Sequence, residues 1–420
     1  AVIIGVASLG SRLLGLFRER VMTTTFGAGD TFDAFVAAFR LPDLIFNLVV
    51  VGALSAAFIP LFTEKLVNGR QNENKIAFDF AISVLNMVLI AVVALSVLYV
   101  ALADVIVPVI TPGFEGEKLA ETILLSRIMA LQPLLLSISF IFSGVLNSFK
   151  RFVAYALAPL LYNVGIIIGV VYFVPKIGVA GLGWGVVLGA ALHMLIQLPS
   201  VLKVGWRWRP IMYWSSKDVT TLRRMIIPRV FGLAGQQVNL FLVTIIGSTL
   251  AAGSITVFHL ANNVQSLPIG MFGLAFAQAA FPTLAEQISK KQHQQFITTL
   301  TRSFRYILFF VIPVSIFFFL LRAQMIRVLF GAGKFDWEDT ILTFETFGLL
   351  LISLFAQATI PLLARAFYVR QNTAIPVAIS LVSIVVNVVL ALFLAGPMGI
   401  QGLALAFSVA AIVNVLLLLG

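Results

Sequence analysis

Apolar runs of twenty residues or more recur down the whole chain. An α-helix rises about 1.5 Å per residue, so about twenty such residues cross the hydrocarbon layer of a bilayer. On that criterion about twelve spans are predicted: 1–22, 32–62, 77–103, 121–148, 154–174, 178–202, 225–250, 255–284, 303–321, 341–367, 374–395 and 398–420. Composition leads to the same place. Of 420 residues, 60% are hydrophobic and 11% charged, with a mean hydropathy of +1.06. Soluble domains carry about 25% charged residues, and no soluble core absorbs this much apolar surface. The expected fold class is an all-α polytopic membrane protein. Pro42, Pro60, Pro133, Pro159, Pro268 and Pro361 are candidate kink points within spans.

The charges that remain sort by loop. One alternate set of loops holds Lys65, Arg70 and Lys75, then Lys150 and Arg151, a cluster from Lys203 to Arg229, then Lys290, Lys291, Arg302 and Arg305, and finally Arg365 and Arg370. The opposite set is poorer in lysine and arginine, and two of its loops carry Asp104, Glu115 and Glu117, then Asp336, Glu338 and Asp339. By the positive-inside rule the richer set is cytoplasmic, with both termini inside. The net charge of +11 is thus a topology signal, and nucleic acid is not an expected partner. The chain has no cysteine, and its three histidines, His193, His259 and His293, make no zinc motif, so no metal is expected. AVIIGVASLG runs straight into the first span, so no cleavable signal peptide is predicted.

Residues 203–224, KVGWRWRPIMYWSSKDVTTLRR, mix tryptophan with basic residues and are too polar to span. They are predicted to form an amphipathic helix on the cytoplasmic face, linking an N-lobe (1–202) to a C-lobe (225–420). The two lobes look related. IGVAGLGWGVVLGAALHML (177–195) aligns without gaps to MGIQGLALAFSVAAIVNVL (398–416), matching Gly178 with Gly399, Gly181 with Gly402 and Leu182 with Leu403. LPDL (41–44) followed by AAFIPLFTE is answered by LPIG (267–270) followed by AAFPTLAE, and SFKRFVAYALAP (148–159) by FYVRQNTAIP (367–376). Six spans per half give repeats of the same orientation, related by a pseudo-two-fold axis along the membrane normal. That is a transporter architecture working by alternating access, with the substrate expected between the halves.

SRLLGLFRERV (11–21) places three arginines and a glutamate in the first span. A charge at bilayer depth costs at least about 2.5–3.5 kcal/mol, so such groups face a wet interior or have a function. Arg20, near the outer end, is placed to snorkel. Arg12 and Arg18 lie deeper, about 240° apart around the helix, on one broad flank. Asp33 and Arg40 in the second span are seven residues apart and so nearly on one face. These groups, with Glu19, are expected to line a cationic cavity. Arginine's rigid fork of donors suits phosphate oxygens, pointing to a phosphate- or carboxylate-bearing substrate.

The second half offers neutral groups instead: His259, Asn262, Asn263 and Gln265. The amides suit the uncharged part of a head group, or bond between helices. Gln236, Gln237 and Asn239 would meet Asn387 if the seventh and eleventh spans pack together, making a weak candidate cation site without a carboxylate. No elbow serine, Walker lysine loop or HExxH motif is present, and FGAGD (26–30) and FGAGK (330–334) lack the strand–helix context of a phosphate loop. A transporter rather than an enzyme is predicted, with no cofactor, acting as a monomer, and driven by a Na+ or H+ gradient, the membrane potential or the substrate gradient.

SRLLGLFRERV, FGAGDTFDAFVAAFRLPDL, GALSAAFIPLFTE, APLLYNVGII and RAFYVRQNTAIP together resemble the MurJ (MviN) family of bacterial lipid II flippases, within the MATE-like (MOP) transporter superfamily. The resemblance covers essentially the whole chain and is most specific in the first sixty residues. It implies two six-helix lobes, a cationic cavity, and flipping of the undecaprenyl-pyrophosphate-linked peptidoglycan precursor across the cytoplasmic membrane. By motif match Ser11, Arg12, Gly15, Arg18, Asp33 and Arg40 take the family's cavity positions. After the LP of the second span the family has two basic residues and an acidic one, where this chain has Phe46, Asn47 and Val51; before the [FL]P.G motif of the eighth span it has an arginine, where this chain has Asn263. The candidate substrate-binding set is therefore Ser11, Arg12, Arg18, Asp33, Arg40, Asn47, Asn262 and Asn263. The family also carries two further C-terminal helices. Other readings are a flippase for another polyprenyl-pyrophosphate oligosaccharide, a cation-coupled exporter of the MATE type, and a membrane scaffold without transport.

Overall fold

The computed structural model describes residues 2–51, 58–67, 74–214, 220 and 237–420. The motif residues 52–57, Gln236 and the linker residues 215–219 and 221–224 lie outside them. The chain divides into two compact units, Ala1–Thr25 with Ala34–Gln237, and Phe26–Asp33 with Val238–Gly420.

In chain order the first part contains α1 (Val2–Phe26), α2 (Asp30–Ala38), α3 (Arg40–Ile45), a π-helical turn (Phe46–Val51), α4 (Phe58–Val67), α5 (Asn74–Ile110), α6 (Gly116–Met129), α7 (Gln132–Ser148) and α8 (Phe152–Ile168). A second π-helical turn (Gly169–Phe173), α9 (Val174–Ile177), α10 (Ala180–Leu195) and α11 (Leu198–Lys203) complete it. Phe58, Phe62, Phe78, Phe80, Phe142 and Trp206 form its aromatic core, with Phe58 stacked on Phe62 at 5.7 Å and Phe142 edge-on to Trp206 at 5.5 Å. Helices α8 and α10 meet through glycine: a Cβ added at Gly165 would lie 2.3 Å from Gly189 Cα. Small residues at such crossings are how helices associate in lipid, where apolar burial gives no drive.

The second part contains α12 (Gln237–Ser248), α13 (Ser254–Pro268), a third π-helical turn (Ile269–Leu274), α14 (Ala275–Ser289), α15 (His293–Leu320), α16 (Arg322–Phe330), α17 (Trp337–Leu351), α18 (Leu354–Val369), α19 (Ala374–Met398) and α20 (Ile400–Leu419). Along α15, Phe309, Phe317 and Leu320 are exposed, as a lipid-facing helix requires.

Eight helical spans among the described residues are long and apolar enough to cross a membrane, and α17 with α18, bent by 45°, makes a ninth. The membrane-spanning fold expected from hydropathy is therefore present, with fewer qualifying helices than the twelve predicted. The difference falls in three places. Residues 1–22 are one helix carrying the arginine-rich stretch; 32–62 is broken at Phe39 and partly outside the described residues; 225–250 is described only from Gln237.

The internal repeat has a structural counterpart within each unit. Gly178 and Gly399 both take positive φ, +65° and +57°, in a backbone region open almost only to glycine. Each closes the preceding helix the same way: Gly178 N donates to Val174 O and Gly399 N to Ala395 O, both at 2.8–2.9 Å. The aligned Lys150 and Gln371 are left-handed as well (φ +56° and +58°), and the following amides, Arg151 and Asn372, reach back to Leu146 O and Phe367 O. Paired backbone exceptions at a constant offset carry more weight than matched apolar residues.

The linker departs from expectation. Residues 206–213 are not helical but run as a strap along the start of α5, with a tight turn at Pro210 where Ile211 N donates to Arg209 O. One reason is Pro210, which has no amide hydrogen to give to a helix. Trp206 is buried, Asn86 Nδ2 donates to Arg209 O at 2.8 Å and to Ile211 O at 2.9 Å, and Tyr213 N donates to Ser83 Oγ at 2.7 Å.

Candidate substrate site

In the first unit the polar groups of α1 are met by α8. Arg18 Nη1 donates to Asn163 Oδ1 at 3.1 Å, and Arg18 Nη2 pairs with the neighbouring Glu19, whose side chain is buried. Asn163 Nδ2 in turn donates to Ser11 O at 3.3 Å and to Pro159 O at 3.1 Å. The guanidinium is thus fixed at both terminal nitrogens. Its Nε is buried with no acceptor among the described residues. A buried donor left unmatched costs about 1–3 kcal/mol.

Arg40 opens α3, with Asp43 one turn on, and Gln132 Nε2 of α7 donates to Asp43 Oδ1 at 3.2 Å. Asp43 and Tyr162 lie within electrostatic reach of Arg18. Asp43, Gln132, Tyr162 and Asn163 join the site although the sequence reading did not single them out. The available signal was polarity in apolar runs: Asn163 sits alone in ALAPLLYNVGIII, and an isolated intramembrane amide needs a partner. Arg12 and Ser11 are half-buried on α1, and Asn47 is half-buried in the first π-helical turn.

Asp33 has a different place from the one expected. It is closed off from solvent in the second unit, at the start of α13. Gly253 N donates to Asp33 Oδ2, and both Thr256 N and Thr256 Oγ1 donate to Asp33 Oδ1, each at 2.8 Å. The carboxylate satisfies amides that a helix N-terminus leaves open, and its charge suits that end of the helix dipole. Gly253 is needed there: its φ is +84°, and a Cβ would fall 2.0 Å from Ala28 O. The FGAGD and FGAGK loops join the same assembly, with Ala28 N donating to Asp339 Oδ2 at 3.0 Å.

Further along α13, Asn263 Nδ2 lies 3.0 Å from His259 Nε2, while Asn262 is half-buried. Asn387 Nδ2 donates to Asn239 Oδ1 at 3.1 Å, so α12 and α19 do bring these two amides together. Gln237 is half-buried at the head of α12. Among the described residues no group of three His, Cys, Asp or Glu is placed to hold a metal.

Comparison with known proteins gives these observations a frame. Residues 22–420 match the family profile described as "Lipid II flippase MurJ". A Vibrio cholerae relative described as "Probable lipid II flippase MurJ" is 32% identical over 429 residues, spanning 99% of this chain and 81% of its own length. A Burkholderia cenocepacia relative described as "Lipid II flippase MurJ" is 29% identical, spanning 98% of this chain and 81% of its own. Among solved structures, "Lipid II flippase MurJ, inward closed conformation" superposes with a TM-score of 0.84 at 24% identity, covering 100% of this chain and 87% of that one. An inward-facing multidrug resistance MATE transporter of the MOP superfamily superposes with a TM-score of 0.77 at 14% identity, covering 97% and 92%. Those likenesses establish the fold, and the sequence match over nearly the whole length establishes more: this chain belongs to the lipid II flippase MurJ family.

Proposed function

We propose that this protein moves lipid II, the polyprenyl-pyrophosphate-linked precursor of peptidoglycan, across the bacterial cytoplasmic membrane during cell-wall synthesis. The observation that carries this reading is the match of residues 22–420 to the flippase family. The chemistry is consistent with it. Arg12, Arg18 and Arg40 supply guanidinium donors for pyrophosphate oxygens, and Asn163 and Glu19 hold Arg18 in one orientation. Ser11 and Asn47 complete the set in the N-terminal half; Asn262 and Asn263 are suited to the uncharged part of the head group. Movement proceeds by alternating access, with the N-terminus in the cytoplasm, the side that lysine and arginine placement favours. The chain acts as a monomer, driven by a Na+ or H+ gradient or by the membrane potential, with Gln237, Asn239 and Asn387 as the candidate cation ligands.

A second reading, a flippase for a different polyprenyl-pyrophosphate oligosaccharide, is favoured by one observation: Phe46 and Asn263 stand where the family pattern has basic residues. Growth complementation separates the two. In bacteria depleted of their own lipid II flippase, the intact chain should restore growth and Arg18→Ala should not. Failure of the membrane-inserted intact chain to restore growth favours the second reading.

A further inference from the structure

The strap at residues 206–213 has a use that the transport reading leaves open. Helix α5 is 37 residues long, far more than the roughly twenty needed to cross the hydrocarbon. Its polar residues Asp79, Ser83 and Asn86 fall in the first turns, and the following seventeen residues, MVLIAVVALSVLYVALA, carry no charge. The hydrocarbon therefore begins near residue 87, and the strap bonded to Asp79, Ser83 and Asn86 lies at headgroup depth. Its hydrogen bonding fits that depth: Arg209 and Ile211 carbonyls and the Tyr213 amide take their partners from α5 side chains instead of from water.

The outward side of the strap is distinctive. Trp208 is 61% exposed while its indole N–H is tied to Asn86 Oδ1 at 3.0 Å, so the exposed ring is held at a fixed place against α5. Met212, Tyr213 and Trp214 are exposed beside it. Rings with an apolar body and a polar edge belong at the membrane–water interface. Between them stand three cations. Arg209 Nη1 bonds Asp79 Oδ1 at 3.2 Å, whereas Lys203 and Arg207 are exposed and meet no carboxylate among the described residues.

We propose that this strap is a docking surface for acidic phospholipid headgroups, with Lys203 and Arg207 facing the lipid phosphates and Trp208, Tyr213 and Trp214 seated among the acyl-chain ends. Charge complementarity selects the occupant: two exposed cations that meet no carboxylate among the described residues, at the depth where anionic lipid phosphates lie.

The chain has no cysteine, so Met212→Cys gives a single labelling site on the strap. The full chain carrying a bimane label there is placed in nanodiscs of phosphatidylcholine with 30% phosphatidylglycerol, either lipid being brominated in turn at equal bromine content. Bromine on phosphatidylglycerol should quench about fivefold more strongly, the local enrichment expected from a single basic group at an anionic surface. Lys203→Gln with Arg207→Gln should remove the preference, and Lys118→Gln in another loop should leave it. Equal quenching by the two lipids, a preference that survives the double substitution, or quenching by aqueous iodide alone would each overturn the proposal.

Discussion

Arg18 on the first helix and Asn163, 145 residues later, form one hydrogen-bonded unit, with Nη1 donating to Oδ1 at 3.1 Å. Asn163 also ties the Ser11 carbonyl, so one amide fixes both the guanidinium and the backbone about two turns before it. Asn163→Leu keeps the branched shape and removes the acceptor. Transport should fall about tenfold, the equivalent of one hydrogen bond to a charged group. Asn163→Asp retains the acceptor and should keep more activity. Both variants are read in the same flipping assay, after thermal unfolding in detergent has shown them folded.

Arg18 should matter far more than Asn263. Arginine–phosphate bonds are charge-assisted and about twice as strong as neutral ones. Arg18→Ala is expected to abolish transport, and Arg18→Lys to restore it in part, since lysine keeps the charge without the fork. Asn263 is a neutral amide whose Nδ2 lies 3.0 Å from His259 Nε2 one turn back, so it offers no charge-assisted bond and Asn263→Ala should be mild. Asn263→Arg, which restores the family residue, should be tolerated. A harmless Arg18→Ala beside a damaging Asn263→Arg would rule out pyrophosphate binding of this kind.

Asp33 is a helix-capping group, and substitutions should behave accordingly. Asp33→Ala strands the amides of Gly253 and Thr256, an expected loss of about 1–3 kcal/mol. Asp33→Asn keeps one acceptor oxygen and should lose less. Hydrogen exchange localises the effect: faster exchange at residues 253–257 is expected, with little change in α8.

The repeated glycines give a matched pair of tests. Gly178→Ala and Gly399→Ala each force a side chain into a glycine-only backbone region, at a cost of about 1–3 kcal/mol. Thermal unfolding should register similar losses for both. A loss confined to one of them would mean that the two halves use the motif differently.

Much of the fold was legible because lipid makes the hydropathy signal strong: α5, α15, α19 and α20 fall where the apolar runs are. What was not legible depends on contacts distant in sequence. Nothing around Asp33 indicates that its partners are Gly253 and Thr256, 220 and 223 residues away, and periodicity alone groups it with Arg40. Arg18 was recognised from its cost in the membrane, but its partner Asn163 was not. The strap was legible only in part: Pro210 argues against a helix there, but nothing in WRWRP indicates that Trp206 is buried while Trp208 is exposed. The π-helical turn after Pro42 has no sequence signature we recognise, though its counterpart after Pro268 occupies a similar place in the repeat.

The most direct measurement follows fluorescent lipid II in proteoliposomes containing the intact chain, with a membrane potential imposed and an impermeant reductant reporting the exposed leaflet. The expected result is transfer of lipid II by the intact chain that Arg18→Ala eliminates. Equal transfer by Arg18→Ala, or transfer of another polyprenyl-pyrophosphate saccharide while lipid II stays put, would contradict it.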